Sequence, residues 1–131
     1  MRVAFQGEPG AYSEQAVYEY FGQVETQPCE SFEDVFSSVS SGRCENGLIP
    51  IENSLAGSIH QNYDLLLRNS LFIVGEYFLR VRHCLVTMPG ASKGDIRKVI
   101  SHPQALGQCA TYLRNQNFKT EAVYDTAGSV K

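Results

Sequence analysis

The chain has 131 residues, of which 43% are hydrophobic, 19% charged and 11% aromatic, a composition apolar enough for a packed core and a length that fits about one domain. Eleven Lys and Arg stand against 14 Asp and Glu, a formal charge of −3, and the basic residues are scattered, so no nucleic-acid partner is expected. The longest apolar runs, such as Leu71 to Val74, fall far short of the roughly 20 residues of a membrane span. The opening Met1-Arg2-Val3-Ala4-Phe5-Gln6 reads as a strand and not as a secretory leader, so the expected location is cytoplasmic, away from membranes. Cys29, Cys44, Cys84 and Cys109 are irregularly spaced, with no Cys-x-x-Cys pair and no nearby His at ligand spacing, which predicts reduced packing thiols and no metal.

Apolar periodicity alternates between 2 and about 3.6, the pattern of strands followed by helices in an α/β domain. Arg2 to Gln6 is the first expected strand; Gly7-Glu8-Pro9-Gly10 breaks it, and Ala16, Val17, Tyr20 and Phe21 form the stripe of a helix that starts near Ser13 and ends at Gly22. Val24 to Gln27 is a short second strand, and Ser31 caps a helix carrying Phe32, Val35, Phe36 and Val39 at i, i+3, i+4 and i+7, stopped by Gly42. Leu48 to Ile51 is a third strand, short or at an edge because Pro50 cannot donate to a ladder. Ile59, Tyr63, Leu66 and Leu67 give the next helical stripe. Leu71 to Thr87 is too long for one ordinary strand and reads as a strand crossing between two lobes. Val99 to Ser101 is another strand, Pro103 starts a helix with Leu106, Cys109, Ala110 and Leu113 on one face, and Lys119 to Tyr124 is the last strand. Asp125 to Ser129 opens a helix of which Val130 and Lys131 supply only the start, so the sequence looks truncated.

A strand running into a small, hydroxyl-bearing turn that opens a helix recurs three times: Gly7 to Ser13, Glu52 to Ser58 and Asp125 to Ser129. Helix N-termini present unpaired N–H groups and a positive dipole end, and glycine lets a ligand approach the backbone, so such turns suit carboxylates. For any single turn, Ser13, Ser54 or Thr126 capping its helix is the plainer reading; three on one sheet edge point to a ligand site. Gly7-x-x-Gly10 lacks the remainder of a phosphate loop or a dinucleotide fingerprint, and no serine stands in a Gly-x-Ser-x-Gly elbow. His60, His83 and His102 are far apart in sequence, and His102 before Pro103 reads as a turn hydrogen bonder.

At these residues the chain closely resembles the prephenate dehydratase catalytic domain. Gly7, Gly10, Tyr12 and Ser13 match the family's Gly-x-x-Gly-x-Tyr-Ser; Pro50, Glu52, Asn53, Ser54 and Gly57 match Pro-x-Glu-Asn-Ser-x-x-Gly. Ser101 to Cys109 matches its His-Pro-Gln-Ala-Leu-x-Gln-Cys stretch, and Asp125, Thr126, Ala127, Gly128 and Ser129 match Asp-Thr-Ala-Gly-Ser. The resemblance implies an α/β, two-lobed fold like type II periplasmic binding proteins, residues 1–75 forming the first lobe and 76–131 an incomplete second, with a hinge near Gly75 and the return segment absent. It implies no cofactor, a small-molecule substrate in the cleft, and homo-oligomers. The reaction implied is decarboxylating dehydration of prephenate to phenylpyruvate in phenylalanine biosynthesis. Arogenate dehydratase, or a non-catalytic small-carboxylate binding module, is the alternative. Asn53, Ser54, Thr126 and Ser129 are the expected cleft donors; Tyr12 and Ser13 support the first turn, and Gly57, Ala127 and Gly128 complete the motifs. The threonine of the family's Thr-Arg-Phe, its principal catalytic residue, does not occur in this sequence, so the isolated chain is expected to be inactive.

Overall fold

The computed structural model describes residues 1–54 and 57–123 and divides into two compact units, Met1–Arg80 and Val81–Lys131. The first unit is built on strand β1, Arg2–Gln6, which pairs in parallel with β2, Glu25–Cys29, on one side and with β3, Asn46–Leu48, on the other. Helix α1, Tyr12–Phe21, connects β1 to β2, and α2, Phe32–Ser40, connects β2 to β3, giving the sheet order β2-β1-β3.

Alternation along β1 sorts the core between two helix layers. Val3 and Phe5 pack with Val17 of α1, joined by Phe21, Val24 and Leu48. Ala4, on the opposite face, packs with Val35 of α2 and Cys44, joined by Cys29, Val39 and Ile49. Val3, Ala4 and Phe5 are all fully buried, as a central parallel strand covered on both faces requires. Gly47 lets α2 lie close to β3, since a Cβ there would stand 2.9 Å from Val35 Cγ1 and 3.1 Å from Val39 Cγ2. Cys29 and Cys44 are free thiols whose pKa values are raised chiefly by burial.

Ser31 caps α2 through a full capping box with Asp34, as its sequence position predicts. Gly22 and Gly42 end α1 and α2 at positive φ. The expected helical stripe of Ile59, Tyr63, Leu66 and Leu67 is corrected: in α3, His60–Arg68, the buried residues are Asn62 and Leu65, while Leu67 is 86% exposed. The apolar pattern misleads because two polar positions of α3 make its contacts: Gln61 bonds to Glu33 of α2, and the buried Asn62 bonds to the Pro50 carbonyl. The expected long strand from Leu71 to Thr87 forms no ladder in the described structure. Part of it is held on α1: Tyr77 donates to Glu19, the Tyr20 and Tyr77 rings meet edge-on at 6.1 Å, and Gly75 sits directly against Tyr20.

In the second unit, β6, Lys98–Ser101, pairs in parallel with β7, Lys119–Ala122. One helix was expected between them; two occur, α4, Pro103–Gln108, and α5, Ala110–Asn115, because the chain turns out of helical geometry at Cys109. Leu113 is the buried apolar residue of this unit among those described. His83 meets Gln108 at 2.6 Å, Lys93 lies over the Tyr112 ring, and His102 caps α4 by accepting from the Gln104 N–H through Nδ1. The helix expected from Asp125 onward lies outside the described residues.

Candidate functional site

β1 and β3 are neighbouring parallel strands, so their C-terminal ends emerge at the same sheet edge. From β1 the chain moves to β2 on one side, then returns past β1 to β3 on the other. That reversal makes the β1/β3 edge the topological switch point, where open α/β sheets leave a crevice for ligands. Two of the three sequence turns stand here: Gly7–Ser13 follows β1, and Glu52–Ser58 follows β3 by way of Ile49 to Ile51.

Neither turn has the helix-cap structure expected of it. The N-cap of α1 is Ala11 and that of α3 is Ile59, neither with a side-chain cap bond. Ser13 lies inside the first turn of α1, and Ser54 is six residues before α3, so the capping explanation of both serines is corrected. Residues Glu52–Asn53 (β4) and Gly57–Ser58 (β5) form a short antiparallel hairpin, with Gly57 at φ 83°. A hairpin, and not a helix opening, presents this motif, because Glu52 and Asn53 pair back on Ser58 and Gly57. Asn53 is half-buried and Ser54 exposed; Tyr12 and Ser13 are half-buried at the start of α1. Thr126, Ala127, Gly128 and Ser129 lie outside the described residues; the first two turns follow the neighbouring strands β1 and β3.

Sequence reasoning missed two residues that shape this edge. Glu14 reaches back over the first turn: its Oε2 accepts the Gly10 N–H at 2.7 Å and its Oε1 accepts the Thr26 hydroxyl at 2.9 Å. The chain's own carboxylate therefore occupies one backbone donor of the Gly7–Ser13 turn. A Glu four residues after a turn glycine, in the first turn of α1, was the legible signal. The other is Asn62, which is completely buried and donates to the Pro50 carbonyl at 2.7 Å. No hydrophobic pattern marks it. The groove of about 500 Å³ between α2 and α3, lined by Glu33, Phe36, Ser40 and Leu65 among others, contains none of the candidate residues. Among the described residues no group of three His, Cys, Asp or Glu could hold a metal, and no helix is long and apolar enough to cross a membrane.

The model of the family described as prephenate dehydratase matches residues 3–131. The chain belongs to the prephenate dehydratase family. It is 51% identical over 131 residues to arogenate dehydratase/prephenate dehydratase 2, chloroplastic, of Arabidopsis thaliana, covering 100% of this chain and 34% of that protein. Among solved structures, the prephenate dehydratase of Staphylococcus aureus subsp. aureus Mu50 superposes with a TM-score of 0.85 at 28% identity, over 99% of this chain and 50% of that one. GqqA, described as a novel type of quorum quenching acylase, superposes with a TM-score of 0.89 at 39% identity, over 98% of this chain and 47% of that one. These matches establish a mixed α/β fold of the prephenate dehydratase kind. The chain spans about a third of the length of the curated relatives it matches.

The cytoplasmic expectation is corrected by these relatives, several of which, from Arabidopsis thaliana, are chloroplastic proteins. Targeting segments are separate, removable signals, so the composition of a folded domain carries no record of its compartment.

Proposed function

We propose that the intact protein is a dehydratase of the phenylalanine branch of aromatic amino-acid synthesis, acting on prephenate or on its amino counterpart, arogenate. The observation that carries this reading is the convergence of two family motifs, Gly7–Ser13 and Pro50–Gly57, at the switch point between β1 and β3. The substrate loses its ring carboxyl group as carbon dioxide; the electron pair of that bond enters the ring, and the ring hydroxyl departs with a proton as water. Aromatisation drives the reaction, so the protein's task is to orient two carboxylates, donate to the leaving oxygen and exclude bulk water.

In this reading Asn53 and Ser54 donate to substrate carboxylate from the hairpin, and Gly57 permits the positive φ the hairpin needs. Tyr12 and Ser13 form the wall at the start of α1, while Thr126, Ala127, Gly128 and Ser129 provide a third, analogous turn. The two compact units correspond to lobes of a type II periplasmic-binding-protein-like domain, the passage between them following Gly75. The isolated 131-residue chain has little or no turnover in this reading, because the Thr-Arg-Phe threonine is not in its sequence.

The test is an assay of the intact gene product with prephenate and arogenate, alongside acyl-amide hydrolysis as the activity suggested by the GqqA likeness. Formation of phenylpyruvate or phenylalanine, reduced about 5- to 100-fold by Ser54→Ala or Asn53→Ala, is expected from loss of a hydrogen bond to a charged group. Acyl-amide hydrolysis with no dehydratase turnover would overturn the proposal.

A further inference from the structure

Asn62 is an unusual choice for a core position. Its side chain is 0% exposed, and its Oδ1 has no hydrogen-bond partner among the described residues. A buried amide oxygen without a donor costs stability, whereas an apolar side chain of similar shape carries no such penalty. What the residue supplies in return is a single bond, from Nδ2 to the carbonyl of Pro50 at 2.7 Å. Pro50 has no N–H, so its carbonyl is the only backbone polar group by which it can be held.

That carbonyl lies where the chain leaves β3 and enters the hairpin. One residue later, Ile51 accepts the Ile59 N–H at 2.9 Å, and the Glu52↔Ser58 and Asn53↔Gly57 pairs follow. The base of the hairpin is thus closed by two successive bonds, one from the backbone and one from Asn62. Asn62 sits in the first turn of α3, and α3 is fixed to α2 by the buried Leu65 and the Gln61–Glu33 bond. The clamp therefore refers the position of Asn53 and Ser54 to the packed helices.

We propose that Asn62 is a positioning residue for ligand binding: by anchoring the Pro50 carbonyl to α3 it holds the 52–58 hairpin, and with it Asn53 and Ser54, in the geometry that receives substrate carboxylate. The proposal rests on the reading of that hairpin as a substrate-binding element. A residue retained for position at a cost to stability separates the two quantities in experiment, since its removal harms function without harming folding.

The experiment uses the intact gene product with three variants. Asn62→Leu removes the donor on a side chain of the same branching, Asn62→Gln keeps an amide donor on a longer arm, and Ser54→Ala tests the hairpin itself. Thermal midpoint, amide hydrogen exchange at Asn53, Gly57 and Ser58, and kcat and KM for prephenate and arogenate are measured together. Asn62→Leu is expected to keep or raise the midpoint, to speed hairpin exchange about tenfold and to lower kcat/KM about tenfold, the scale of one hydrogen bond; Asn62→Gln recovers part of both losses. Unchanged exchange in Asn62→Leu overturns the clamp. So does a midpoint that falls together with kcat/KM and is not restored in Asn62→Gln, the behaviour of an ordinary core residue. Faster exchange with unchanged kcat/KM overturns the positioning role when Ser54→Ala is impaired. If Ser54→Ala is unimpaired too, the reading of the hairpin as a binding element fails with it.

Discussion

β1 and β7 are both short parallel strands, yet their surroundings differ completely. Val3, Ala4 and Phe5 of β1 are fully buried, whereas all four residues of β7 are exposed. The first unit places a helix on each face of its sheet and closes two apolar clusters around one strand. The second pairs two strands whose two short helices bury one large apolar residue among those described, Leu113. The lesson is that a βαβ unit forms local structure readily but gains a core only when helices cover both faces. Between these extremes, the segment around Phe72, Ile73, Val74 and Phe78 has strand composition without a strand partner among the described residues, and Phe72 is 90% exposed.

The strongest way to break this comparison is to empty both cores. Phe5→Ala should cost about 3–5 kcal/mol and Leu113→Ala no more than about 2 kcal/mol, read by denaturant titration with tyrosine fluorescence. Equal losses would show that the second unit is as well packed as the first. Next in size, Gly47→Ala should cost about 1–3 kcal/mol, because Val35 and Val39 of a tight helix–sheet contact must yield to the new methyl. A neutral result would mean that α2 is not closely fitted to β3.

The exposed apolar segment sharpens the comparison from the other side. The chain should bind a hydrophobic dye and associate in light scattering, and replacing Phe72 and Phe78 with Ser should reduce both signals. A dye-silent monomer would show that the segment is covered in solution.

The smallest expected effect lies in the side-chain hydrogen bond between Tyr77 of that segment and Glu19 of α1. The Glu19 carboxyl is held below its ordinary value, first by the Tyr77 hydroxyl and then by Gln15, while the same bond raises the Tyr77 phenol. The Glu19 contribution is therefore full above the ordinary Glu value of about 4.3 and is lost as pH falls through the lowered one. The Tyr77 contribution is full below about 10 and is lost as pH rises through the raised value. Both groups are solvent-exposed, so Tyr77→Phe should flatten the acid and alkaline edges of the stability profile only slightly. An unaltered profile would remove the contact from the account.

The sequence exposed the first unit well because its signals were local and agreed with one another. Arg2–Gln6 reads as a strand, Ser31 as a helix cap, and Phe32, Val35, Phe36 and Val39 recur at helical spacing, each matched in the structure. α3 was misread because its buried residues include Asn62, a polar residue that no hydrophobic pattern selects. The two turns were found by their glycines and hydroxyls, but their local form was not, since a ladder of Glu52 and Asn53 with Ser58 and Gly57 depends on pairing across the turn. Glu14 escaped notice because an acid in the first turn of a helix is ordinarily explained by the helix dipole, while here it folds back on Gly10 and Thr26.

The central claim is that ligand binds at the β1/β3 edge, mainly through the hairpin. Its most direct test is an amide-resolved NMR titration of the intact gene product with prephenate. Shifts concentrated at Asn53, Ser54, Gly57 and Ser58, with smaller ones at Gly7, Tyr12 and Ser13, are the predicted result. Saturable binding whose shifts fall instead on Phe36, Ser40 and Leu65 of the α2/α3 groove, leaving the hairpin unmoved, would contradict it.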